Sequence, residues 1–108
     1  MTVRGLITLL LKGVSIPDEY IDDINKAVNI LNNEGCKDVY LFGSLVKGKA
    51  TTLSDIDIAV RICPDGKYFN ILGKLMMELN HPVDFIVLDE RDDFANFIKD
   101  NGELVYVS

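Results

Sequence analysis

The run Ser54-Asp55-Ile56-Asp57-Ile58-Ala59-Val60 sets carboxylates at alternate positions of a stretch that is otherwise apolar. Side chains alternate between the faces of a strand, so Asp55 and Asp57 point one way while Ile56, Ile58 and Val60 point the other. The carboxylates then lie one beside the next, close enough to bridge a cation. Without a cation they repel, and one of them is pushed toward protonation. A hard divalent ion with oxygen ligands resolves this conflict, and magnesium suits it when the ion is shared with nucleotide phosphates.

Upstream, the apolar run Val39 to Phe42 leads straight into Gly43-Ser44. Glycine lets a chain turn sharply and approach a ligand closely. A helix starting at Ser44 would aim free backbone N–H groups and the hydroxyl at a phosphate. Lys47, three residues on, falls on the same helical face and adds positive charge. Downstream, Asp84 sits among Pro82, Val83, Phe85, Ile86 and Val87, in a run expected to be a buried strand. A charged carboxylate there is costly unless it is paired or bound to metal. If that strand lies beside the Asp55/Asp57 strand, three carboxylates converge, the arrangement of two-metal phosphoryl or nucleotidyl displacement. The structural alternatives are a turn cap at Asp55 and an ion pair of Asp84 with Arg61 or a lysine. The first leaves Asp57 unexplained.

The rest of the chain reads as alternating helices and strands. Residues 2–14 are ambiguous, since Leu6, Ile7, Leu10, Leu11 and Val14 fit a helical face but Gly5 and Gly13 weaken it. Ser15 and Pro17 open a helix carrying Tyr20, Ile21, Ile24, Ala27, Val28 and Leu31 at helical spacing, and Gly35 stops it. Strands are expected over Val39–Phe42, Asp55–Ile62, Pro82–Leu88 and Leu104–Val107. Short helices are expected over 44–49, about 67–79 and about 90–100, the second with Phe69, Leu72, Leu75, Met76 and Leu79 inward. The third would bury Phe94, Phe97 and Ile98. The class is α/β or α+β, with a small mixed sheet flanked by helices. At 108 residues the chain is expected to form one domain.

Gly43-Ser44, ten residues, then Asp55-Ile56-Asp57, with a later single aspartate in a strand, resembles the minimal nucleotidyltransferase (MNT) family of the polymerase-β-like superfamily. The resemblance runs from about residue 18 to the end, leaving 1–17 as an N-terminal extension of open role. It implies a polymerase-β-like nucleotidyltransferase fold in which Gly43 and Ser44 hold the triphosphate of ATP. It further implies that Asp55 and Asp57 bind two Mg2+ ions, and that Asp84 is the third metal-ligating carboxylate and the base. Where the family often has arginine this chain has Lys47, which keeps the charge but loses bidentate contact. Larger relatives carry a helical domain that grips the acceptor, and none is expected within these 108 residues. The resemblance therefore implies a separate partner, a helical HEPN-type toxin that this chain adenylylates on a tyrosine as its antitoxin. A non-catalytic antitoxin acting by contact, and a small-molecule (aminoglycoside-type) nucleotidyltransferase, are the competing readings.

Other features mainly exclude. Eleven basic against 17 acidic residues, a net charge of −6, argue against direct nucleic-acid binding, which needs clustered positive charge. A compact anion site remains open. Cys36 and Cys63 lack metal-ligand spacing and are expected to be reduced thiols in a cytoplasmic protein. His81, the lone histidine, is expected in an exposed loop. The acidic cluster at 89–93 reads as a helix start rather than a metal site. Leu6 to Leu11 is too short to span a membrane and is a candidate partner contact.

Overall fold

The structure is a computed structural model, and it describes residues 16–47, 54–88, 96–97 and 104–108. The sequence reading of 2–14, of the loop at 50–53 and of the acidic cluster lies outside the described residues. So does most of the expected third helix, of which Asn96 and Phe97 are described and helical.

The first described helix, α1, spans Asp18–Asn33 and begins after Pro17, whose φ of −59° is already close to helical. Asp18 and Glu19 occupy its first turn, where the dipole favours negative charge. The apolar residues read from the sequence form its buried face. It ends as expected at Gly35, at φ +92°. The Gly35 N–H donates to the Asn32 carbonyl at 3.2 Å and the Cys36 N–H to the Leu31 carbonyl at 2.9 Å, a paired closure that satisfies the last carbonyls.

Among the described residues four strands follow: β1 (Lys37–Phe42), β2 (Ile56–Ile62), β3 (Val83–Val87) and β4 (Val105–Tyr106). They form a mixed sheet in the order β3-β2-β1-β4. β1 runs antiparallel to β2 and β4, whereas β2 and β3 are parallel. A parallel neighbour needs a crossover, and α2 (Tyr68–Glu78) provides it. Val39, Leu41, Ile56, Ile58, Val60 and Phe85 pack on one face with Ile24, Leu31, Ile71 and Leu75 of the helices. The opposite face carries a smaller cluster of Phe42, Ala59 and Leu88, against which Phe97 packs edge-on at 4.8 Å. Cys36 and Cys63 are free thiols. Among the described residues, no helix is long and apolar enough to cross a membrane.

The phase of α2 differs from the sequence reading. Leu75 and Leu79 are buried and Leu72 is half-buried, but Phe69 is 82% exposed and Met76 65% exposed. Ile71 takes an inward place, and Tyr68 stacks on Phe85 with ring centroids 5.2 Å apart. The helix is apolar on most of its circumference, so two stripes satisfy the helical period. Contact with the sheet selects the Tyr68–Ile71–Leu75 stripe. Leu75→Ala should therefore cost about 2–4 kcal/mol in urea denaturation, and Phe69→Ala no more than about 0.5 kcal/mol. Equal costs would contradict this phase.

Candidate active site

The register of the sheet places the carboxylates. Asp57 stands opposite Phe42 on β1 and opposite Asp84 on β3. Residues in register on neighbouring strands project from the same face, about 4.8 Å apart along the hydrogen-bonding direction. Asp57 and Asp84 therefore lie side by side on the face turned away from α1 and α2. Asp55 precedes β2 by one residue and is exposed. The strand pairing on which convergence depended is thus present. Asp84, however, is exposed rather than buried. Its strand lies at the sheet edge, so the aspartate face is open there while Phe85 alone is fully buried.

Gly43 closes the site from the other side. β1 runs directly into it, and its φ of +78° belongs to the left-handed region that L side chains avoid. A Cβ built on Gly43 would lie 3.0 Å from Cγ of Asp57 and collide with Oδ2. Backbone at the turn is thereby pressed against the carboxylate, which only glycine permits. The expected helix over 44–49 is instead a single 3-10 turn, Gly43–Leu45, among the described residues. Leu45 is buried and anchors it, while Ser44 is half-buried and Lys47 exposed. The Lys47 N–H donates to the Gly43 carbonyl at 3.2 Å, folding the lysine back toward the strand ends. A single turn offers free N–H groups but little of the dipole of a long helix.

Electrostatics tie these residues together. Burial, then the charge of Asp84, then that of Asp55 push the Asp57 carboxyl up to about 6, and Lys47 opposes them. Asp55, Asp57, Asp84 and Lys47 thus share one field. Among the described residues, no three His, Cys, Asp or Glu side chains are already gathered into a metal-binding group. The donor chemistry nonetheless fits a hard divalent cation, because two carboxylates in register repel and are partly desolvated. Such an ion takes one or two carboxylates and completes its sphere with phosphate and water oxygens.

Sequence reasoning missed a polar cluster behind the strand ends. Asp23 of α1 is fully buried, and its Oδ2 accepts from the Asn80 N–H at 2.9 Å, the His81 N–H at 3.0 Å and His81 Nδ1 at 2.7 Å. A carboxylate acceptor at that distance requires the proton on Nδ1. His81 also stacks on Tyr20, ring centroids 4.0 Å apart, and so is held in place rather than free in a loop. The available signal was Asp23 itself, a carboxylate on the same helical stripe as Tyr20 and Ala27.

The family model described as "Polymerase beta, Nucleotidyltransferase" matches residues 25–108. No curated protein matches. A solved structure described as "Crystal structure of the toxin-antitoxin with AMP-PNP" superposes with a TM-score of 0.56 at 24% identity, covering 82% of this chain and 73% of that one. At that identity the likeness carries the fold alone.

Replacing Gly43 by alanine should destabilise the domain by about 2 kcal/mol or more, since backbone strain adds to the collision with Asp57. A chemical denaturation curve unchanged by Gly43→Ala would remove the turn from the site. The Asp57 proton predicts a pH effect. Its folded pKa of about 6 exceeds the ordinary 3.8, so its stabilising contribution is full below that lower value and is lost as pH rises through about 6. With metal chelated, Asp57→Asn should therefore gain on the parent as pH rises, reaching about 1 kcal/mol at neutral pH after solvent screening is allowed for. Melting curves for the two proteins that stay parallel across that range would refute the crowding of Asp57.

Proposed function

Because the chain belongs to the polymerase beta nucleotidyltransferase family, we propose that it transfers AMP from ATP to a hydroxyl of a partner protein. The observation that carries this reading is Asp57 in register with Asp84 and pressed by the Gly43 turn. In this reading the N–H groups of Gly43-Ser44 and the Ser44 hydroxyl hold the triphosphate, and Lys47 offsets its charge. Asp57 and Asp84, with Asp55 beside them, would hold Mg2+. Bound there, the cation would neutralise phosphate charge and stabilise the leaving pyrophosphate.

Asp84 is the exposed member of the pair, so an incoming hydroxyl can reach it. It accepts the hydroxyl proton as the oxygen bonds to the α-phosphorus. The bond from that phosphorus to the bridging oxygen breaks, and pyrophosphate leaves with the electron pair. Asp57, half-buried between Phe42 and Asp84, stays on the cation side. The acceptor in this reading is a tyrosine of a helical HEPN-type toxin, and the chain is the matching antitoxin. Support comes from the sequence motif and from the fold shared with a structure described as a toxin-antitoxin.

Incubating the partner toxin with this protein and magnesium-ATP should add one or more AMP units to the toxin, seen by intact-mass spectrometry. Asp55→Asn and Asp57→Asn should each lower the rate at least about a hundredfold, the loss of several kcal/mol of transition-state stabilisation, with circular dichroism unchanged. Full neutralisation of the toxin by Asp57→Asn, with no mass change in any sample, would mean that contact alone is the activity.

A further inference from the structure

Asp55 is exposed and lies outside the strand, so its own side chain does little to fix its place. The backbone on either side of it is fixed instead. On one side, the Tyr20 hydroxyl donates to the Ser54 carbonyl at 2.7 Å. On the other, the Ile56 N–H donates to the Pro82 carbonyl at 2.8 Å. Both anchors lead back to α1. Pro82 follows the Asn80-His81 turn that the buried Asp23 carboxylate grips through three donors. Tyr20 is fully buried with its ring stacked on His81 at an interplanar angle of 24°.

A phenylalanine ring fills the same space and stacks on His81 as well. What the hydroxyl adds is a bond to the one carbonyl that immediately precedes Asp55, from a helix otherwise occupied with the core. Asp23 adds a second improbable feature, a carboxylate with no exposure whose Oδ1 has no hydrogen-bond partner among the described residues. Such a group is costly to bury. Its donors are the turn that starts β3 and leads to Asp84.

We propose that Tyr20 is a positioning residue for Asp55, fixing the Ser54 carbonyl so that the Asp55 carboxylate faces the nucleotide, with the Asp23–His81 pair as its backstop. This inference rests on the nucleotidyltransfer reading above. Tyr20→Phe removes one hydroxyl and keeps the ring, so the protein folds. Loosening a carboxylate that must meet the reacting group in a fixed geometry lowers turnover more than it weakens substrate binding.

The test measures AMP transfer to the partner toxin by four proteins: the parent, Tyr20→Phe, Asp55→Asn and Leu75→Ala. Leu75→Ala controls for lost stability, since it lies in the core facing the sheet. Well below the melting temperatures, Tyr20→Phe should lower kcat about tenfold with KM for ATP within about twofold, whereas Leu75→Ala should keep the parent kcat. Parent-like kcat for Tyr20→Phe, alongside loss of transfer in Asp55→Asn, would overturn the positioning role and leave the function standing. An equal fall in Tyr20→Phe and Leu75→Ala would reduce the bond to a structural one and likewise overturn it. Transfer by Asp55→Asn at the parent rate would remove the function reading, and the positioning role with it.

Discussion

Two like charges held in register, Asp57 on β2 and Asp84 on β3, are the interaction around which this end of the molecule is organised. Left to themselves they would push the strands apart. With Asp84 exposed, solvent screening leaves about 1 kcal/mol of repulsion. Packing on the opposite face outweighs it. Ile56, Ile58 and Val60 of β2 and Phe85 of β3 are buried against the helices, each contributing about 1.5–3 kcal/mol. The apolar half of the strand thus fixes the register that the acidic half opposes. Burial first, and then the repulsion from Asp84 and Asp55, raise the Asp57 carboxyl to about 6.

The topology brings the other parts to the same edge. β1 ends where β2 begins, because the two are antiparallel and Phe42 pairs with Asp57. The turn after β1 therefore falls beside the first residues of β2, and Gly43 is the residue that fits there. Parallel pairing then sets the start of β3 next to the start of β2, which delivers Asp84. α1 lies behind this edge, with Tyr20 and Asp23 reaching Ser54 and the Asn80-His81 turn. One helix thus supplies both core surface and the bonds that tie down the strand starts.

The aspartate face of β2 was legible because a strand has a period of two, and the alternation Asp55-Ile56-Asp57-Ile58 admits one reading. Gly43 was legible as a turn, but its contact with Asp57 requires the antiparallel return of the chain, which no local pattern contains. Asp84 was recognised from its apolar surroundings, yet those suggested burial. Exposure followed from the edge position of β3, a property of strand order. The α2 stripe was misjudged because Phe69 and Met76 repeat at the same period as Ile71 and Leu75, and only the facing sheet distinguishes them. His81 looked unremarkable because its partner, Asp23, lies 58 residues away in sequence.

In the proposed function, a cation and a triphosphate meet between the Gly43-Ser44 turn and the Asp57–Asp84 pair. Anomalous scattering at the manganese edge, from crystals grown with Mn2+ and a non-hydrolysable ATP analogue, tests it most directly. The predicted result is a manganese peak within bonding distance of Asp57, with phosphate oxygens of the analogue against the Gly43 and Ser44 N–H groups. Nucleotide bound elsewhere on the domain, or phosphates ordered at the turn with no manganese beside Asp57, would contradict it.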